Sequence, residues 1–150
     1  MKRLKYIHFF TVALAITAMM LPFGAVLRFV NPTDAGYQQE VLKTYSYFDP
    51  IVFGYANFAP LFCAIASVVL ALLLLYTLFS NDNKMLSVSM TVLSGAAFVL
   101  SVLPLVLYGL KFFNMTALLI SFLLACSVII SLHRLTGKIF APEEEEDEEE

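Results

Sequence analysis

The sequence predicts an all-α integral membrane protein: a bundle of four transmembrane helices, a short helical aromatic segment on the extracytoplasmic side, and a disordered acidic tail. Three observations lead there. Of 150 residues, 60% are hydrophobic and 14% charged, against about 45–50% and 25% in an ordinary soluble domain. The apolar residues gather in four runs, at 6–30, 58–79, 85–110 and 115–132, each reaching or approaching the roughly 20 residues that cross about 30 Å of hydrocarbon. Charged residues lie almost wholly outside those runs. These features divide the chain into a membrane domain, 1–140, and a tail, 141–150.

The formal net charge of -3 hides the distribution that matters. Eight of the twelve acids fill positions 143–150, which leaves nine basic residues against four acidic ones elsewhere. The positive charges flank the spans: Lys2, Arg3, Lys5, Lys84, Arg134 and Lys138 fall on one side of a four-span chain, and Arg28, Lys43 and Lys111 on the other. Because basic flanks stay inside, both termini are expected in the cytoplasm of a multi-pass protein, with the plasma membrane the expected location. The basic start and apolar stretch also fit a secretory signal, but the run continues past Met20 and the best cleavage site has Phe23 where a small residue belongs, so the first helix is expected to be retained.

The first run carries Pro22 and Gly24 in its outer third, which predicts a bend there, since proline removes a helical hydrogen bond. The connection 31–57 follows on the outer side. Within it Asp34 can cap a helix, and Tyr37, Val41, Tyr45 and Phe48 recur at spacings of four, four and three, which predicts an amphipathic surface helix. The rival is a strand around Tyr45 and Tyr47. Asp49-Pro50 offers a further helix start, but a helix from there to Phe79 would be about 45 Å long. A break at Gly54, Asn57 and Pro60 is expected, leaving Pro50 to Tyr55 as a short interfacial or partly re-entrant piece.

Ser80-Asn81-Asp82-Asn83-Lys84 reads as a tight reversal joining the second and third runs. Pro104 predicts a second outer bend, and Lys111 and Asn114 flank the turn into the fourth run. Cys63 and Cys126 sit at different expected depths, so no disulfide is expected, and both read as small buried hydrophobes. The eight acids of the tail are low in complexity and expected to be solvated. Hard oxygen ligands there invite weak divalent-cation association, but without the spacing of a defined site.

The chemistry of the spans is sparse. His8 and Arg28 lie at their margins, and no metal-ligand spacing, phosphate loop or helical carboxylate pair occurs, so no catalytic residue, metal or cofactor is expected. A proton-coupled pump is disfavoured by the same composition. His8 and His133 read as interface residues, with a pH-sensing role as the sharper alternative. Small residues recur every fourth position: Cys63, Ser67 and Ala71; Ser87, Thr91 and Gly95; Ala117, Ser121 and Ala125. Such stripes let helix backbones approach closely, and serine or threonine adds interhelical hydrogen bonds. Ser94, Ser101 and Ser127 are further candidates to line a polar path.

The outer segment is the leading candidate for recognition. Tyr45, Tyr47, Phe48, Asp49, Phe53, Tyr55 and Asn57 form its expected contact surface, because tyrosine is enriched both at membrane interfaces and in binding hot spots. The expected role is thus a non-enzymatic accessory, scaffold or assembly partner in a membrane complex. Its partners would be the lipid bilayer and another membrane protein or a second copy, with no nucleic acid. The alternative is a small oligomeric channel or transporter component; a lipid-modifying enzyme ranks third for want of a nucleophile and base.

Overall fold

Proline and glycine divide the first apolar run in two. In the computed structural model, which describes residues 2–32, 38–49, 58–80 and 83–139, helix α1 covers Lys2–Met19 and stops before Pro22. Residue 21 precedes a proline and is therefore biased away from helical geometry, and Pro22 itself cannot donate to the helical ladder. A turn over 20–24 then feeds strand β1, Ala25–Pro32. The expected single span at 6–30, merely bent at Pro22, is corrected accordingly: its last third is a strand, favoured by Val26, Phe29 and Val30.

Strand β2, Gln38–Tyr45, pairs antiparallel with β1 in a register running from Ala25↔Tyr45 to Pro32↔Gln38. The expected amphipathic helix over this stretch is therefore replaced by a strand, and the strictly all-α description gives way to a mainly helical fold with a two-stranded ribbon. A helix of that length is marginal without tertiary support. Pairing with β1 satisfies the same backbone groups across the chain, and β-branched Val41 and Thr44 suit it. Asp34, Tyr37 and the 50–57 piece lie outside the described residues, as do Asn81, Asp82 and the acidic tail.

Three long helices follow: α2 (Ala59–Phe79), α3 (Lys84–Tyr108) and α4 (Met115–Ile139). All three are long and apolar enough to cross a membrane. Helix α1, with 18 residues, is about 27 Å long, but Lys2, Arg3 and Lys5 crowd its first turn. Helix α2 opens with Pro60 in its first turn, where a missing N–H costs nothing. Helix α3 runs through the buried Pro104 to Tyr108 and stops at Gly109, whose φ of 80° suits a residue without a Cβ. A single 3-10 turn, Leu110–Phe112, leads to Asn114, whose Oδ1 accepts from the Ala117 amide at 2.9 Å and caps α4. Helix α4 extends seven residues past the expected 132, its last turns carrying His133, Arg134 and Thr136.

Helix α1 packs on α2 and α4, and α3 packs on the same two. The interior is built from small residues, the exterior from large apolar ones. On α3 the buried positions are Ser87, Met90, Ser94, Ala97, Ser101 and Pro104, alternating by three and four. On α2 the outward positions include Phe62, Ile65, Val69, Leu72, Tyr76 and Phe79. Such an exterior is at home in hydrocarbon, and in water would be an apolar patch far beyond what monomers tolerate. Inside, two apolar layers stack. One joins Ala15, Met19, Cys63, Ala97, Ile120 and Leu124 beside the ribbon. The next joins Val12, Leu70, Leu74 and Met90. Cys63 and Cys126 are both free thiols, Cys63 buried and Cys126 half-buried.

Candidate functional site

Two places in this fold gather polar groups. The first lies inside, one helical turn below the second apolar layer, where α1, α3 and α4 meet. His8 is fully buried, and so are Ser94 and Ser127, while Ser131 and Arg134 are 3% and 4% exposed. Helical spacing brings the α4 members together: Ser127, Ser131 and Arg134 stand at intervals of four and three, on one face. Because side chains on a helix lean toward its N-terminus, Arg134 reaches back into the protein from the last turns of α4.

The hydrogen bonds define the protonation pattern. Arg134 Nη1 lies 3.2 Å from His8 Nδ1. A guanidinium has only donors, so Nδ1 must accept and the imidazole proton sits on Nε2. Nε2 then donates to Ser127 Oγ at 2.8 Å, with Ser131 Oγ at 3.4 Å. Ser131 Oγ in turn is 2.9 Å from Ser94 Oγ, which carries the network to α3. A narrow crevice between α3 and α4 is lined by Ser87, Met90, Ser131 and Arg134. The Ser87 hydroxyl is buried and makes no hydrogen bond. At the same end Lys5 Nζ donates to the Thr77 carbonyl at 2.9 Å, placing a cation at the C-terminus of α2, where the helix dipole favours one.

The second place is the foot of the ribbon. Tyr47 is only 2% exposed. Its amide donates to the Met19 carbonyl at 3.0 Å, and Ser46 Oγ donates to the same carbonyl at 3.0 Å, so the end of α1 and the end of β2 share one acceptor. Gly24 makes room for the ring: a Cβ there would stand 2.8 Å from Tyr47 Cδ2. Burial pushes the Tyr47 phenol well above its usual pKa, with Cys63 adding to the shift, so it stays protonated in neutral solution. Beside it, Asp49 Oδ2 accepts from the Ser46 amide at 2.7 Å. The Asn114 side-chain amide donates to the Phe23 carbonyl, tying the turn after α1 to the start of α4.

These positions sort the expected contact surface. Phe48 and Asp49 are exposed and Tyr45 is half-buried, whereas Tyr47 is a core residue and holds the ribbon down. Phe53, Tyr55 and Asn57 lie outside the described residues. Of the small-residue stripes, Cys63, Ser67, Ser87, Ala117 and Ser121 are buried between helices, while Ala71, Thr91, Gly95 and Ala125 are half-buried. Ser94 and Ser127 belong to the internal network, whereas Ser101 turns to the Phe98 carbonyl of its own helix at 2.7 Å.

His8, read from sequence as an interface residue, sits in the interior; His133 is exposed. From sequence Arg134 reads only as a cation flanking the fourth span and Ser131 carries no reading, although the Ser127-Ser131-Arg134 spacing holds the signal. Among the described residues no group of three or more histidine, cysteine or acidic side chains could hold a metal ion. In class, the fold is a mainly helical protein of membrane-spanning composition with a clipped β-ribbon at one end. Comparison with known protein families, curated proteins and solved structures found no match.

Proposed function

We propose that this chain is a four-span membrane protein of the plasma membrane, with α1 as the fourth span, both termini cytoplasmic and the ribbon outside. We further propose that it acts as a non-enzymatic accessory or assembly partner, the ribbon and the aromatic residues after it forming its contact surface. The supporting observation is the ribbon itself: among the described residues it is a sheet of two strands, anchored at its foot through Tyr47 and Ser46. A strand with an open edge is a template on which another chain's backbone can pair. Anchoring lowers the ordering cost such pairing incurs. For α1, its length of about 27 Å and its packing against α2 and α4 support a span, and its basic first turn suits the cytoplasmic end.

The test is recovery of a partner from native membranes in mild detergent. Thr44 and Phe48 are both exposed, so Thr44→Lys with Phe48→Ser alters the surface and spares the core. The native chain is expected to bring down a membrane protein in constant proportion, and the double variant to lose it with an unchanged Tm. Recovery of the chain alone, together with ion or solute flux in liposomes, would favour the alternative of an oligomeric channel or transporter component. That alternative draws support from the buried serines of α3 and α4. However, Ser67, Ser94 and Ser101 already donate to carbonyls of their own helices, which makes them weaker ligands for a passing solute.

A further inference from the structure

We infer that Arg134 is the arm of a two-position latch, held on α1 by neutral His8 and released toward Ser87 of α3 when His8 takes up a proton. The geometry defines the first position. The guanidinium donates to Nδ1 at 3.2 Å, and Nδ1 can accept only while the ring is neutral. Protonation places an N–H there, so that two donors and two positive charges face each other at that distance, and the contact turns from attractive to repulsive.

The second position is marked by the Ser87 hydroxyl. It is 2% exposed and without a hydrogen-bond partner, and it lines the same crevice as Arg134 and Ser131. A buried orphan acceptor costs stability in the resting state. It is also an oxygen to which the displaced guanidinium can turn without leaving the interior. Protonated His8 keeps its Nε2 bond to Ser127; what changes is which helix Arg134 ties to α4, α1 before and α3 after. The latch is thus a small bistable element biased by one proton.

Among the described residues, the other ionisable groups of these helices are directed away from His8. On α1, Lys5 is directed to the Thr77 and Ser80 carbonyls of α2. On α2, Cys63 belongs to the layer beside the ribbon and Tyr76 faces outward. On α3, Lys84 is exposed, and the helix reaches the cluster through Ser94. On α4, His133 points outward. No acidic group hydrogen-bonds to His8 among the described residues.

The full chain in lipid nanodiscs, labelled with ¹⁵N at histidine and arginine, tests this directly, because it holds two histidines and three arginines. Near neutral pH, His8 is expected to show the Nε2–H tautomer with an accepting Nδ1. As the pH is lowered, His8 should titrate and the Arg134 side-chain signal should move with the same midpoint. Ser87→Ala removes the second position and should lower that midpoint by about one pH unit, the worth of a hydrogen bond to a charged group. His8→Gln, which cannot titrate, should abolish the Arg134 response. The latch is overturned by an Nδ1–H tautomer, by an Arg134 signal that ignores the His8 transition, by an unchanged midpoint in Ser87→Ala, or by His8 staying neutral until the chain unfolds.

Discussion

Tyr47→Ala is expected to destabilise the folded chain by about 3–5 kcal/mol, the range for emptying a buried aromatic site. Among the described residues the ring is the largest fully buried side chain, and it fills the space that Gly24 leaves open. Its backbone amide still reaches the Met19 carbonyl in the variant, so the loss reports packing at the foot of the ribbon. Thermal unfolding in detergent measures it, and Phe48→Ala is the control: that neighbour is 39% exposed and should shift stability by no more than about 0.5 kcal/mol. Equal effects at both positions would mean that Tyr47 does not anchor the ribbon. The reciprocal change, Gly24→Ala, should drive the ring out of place, since its new methyl has no room beside Cδ2.

His8→Ala is expected to cost about 3 kcal/mol or more, because one deletion leaves several buried groups short. Arg134 loses its acceptor on α1 and Ser127 loses its donor, and each buried polar group stripped of a partner costs about 1–3 kcal/mol. The damage should concentrate where α1 meets α4, visible as faster amide exchange over the first half of α1 with α2 little changed. His8→Gln can accept from Arg134 and donate to Ser127, so it should recover most of the loss. An alanine variant as stable as the native chain would show that the network is incidental to the fold.

Much of this architecture was legible in the residues. The boundaries of α2 and the start of α3 followed from apolar length, from Pro60 and from the Ser80–Lys84 reversal, whose local chemistry ends or begins helices whatever surrounds them. The stop of α3 before Gly109, in contrast, lies short of the expected 110. The ribbon was not legible, for a physical reason. The Tyr37, Val41, Tyr45 and Phe48 spacing fits a helix face, and only long-range pairing with 25–32, itself disguised as the end of an apolar run, turns the same residues into a strand. From sequence Pro22 predicts a bend, because hydrocarbon tolerates proline in a helix; here the chain leaves the helix before reaching it. The internal network escaped for a related reason. Position along the chain placed His8 and Arg134 at the membrane margin, where such residues commonly face headgroups, and their inward direction depends on how side chains lean along a helix and on which helices meet. The stripes that hold Ser87 and Ser121 are readable as packing, while the crevice beside Ser87 exists only once α3 and α4 are docked.

The central claim is that four helices carry the ribbon to the side of the membrane opposite both termini. It is tested most directly by impermeant thiol labelling of intact cells. The probes are single cysteines, Arg3→Cys at the start of α1 and Phe48→Cys beside the ribbon, both exposed positions, in a Cys126→Ala background where buried Cys63 is shielded. The account predicts that the cysteine at position 48 reacts from outside while the one at position 3 reacts only after lysis. Labelling of both from the same side would contradict it, leaving α1 on the membrane surface and the ribbon on the side of the N-terminus.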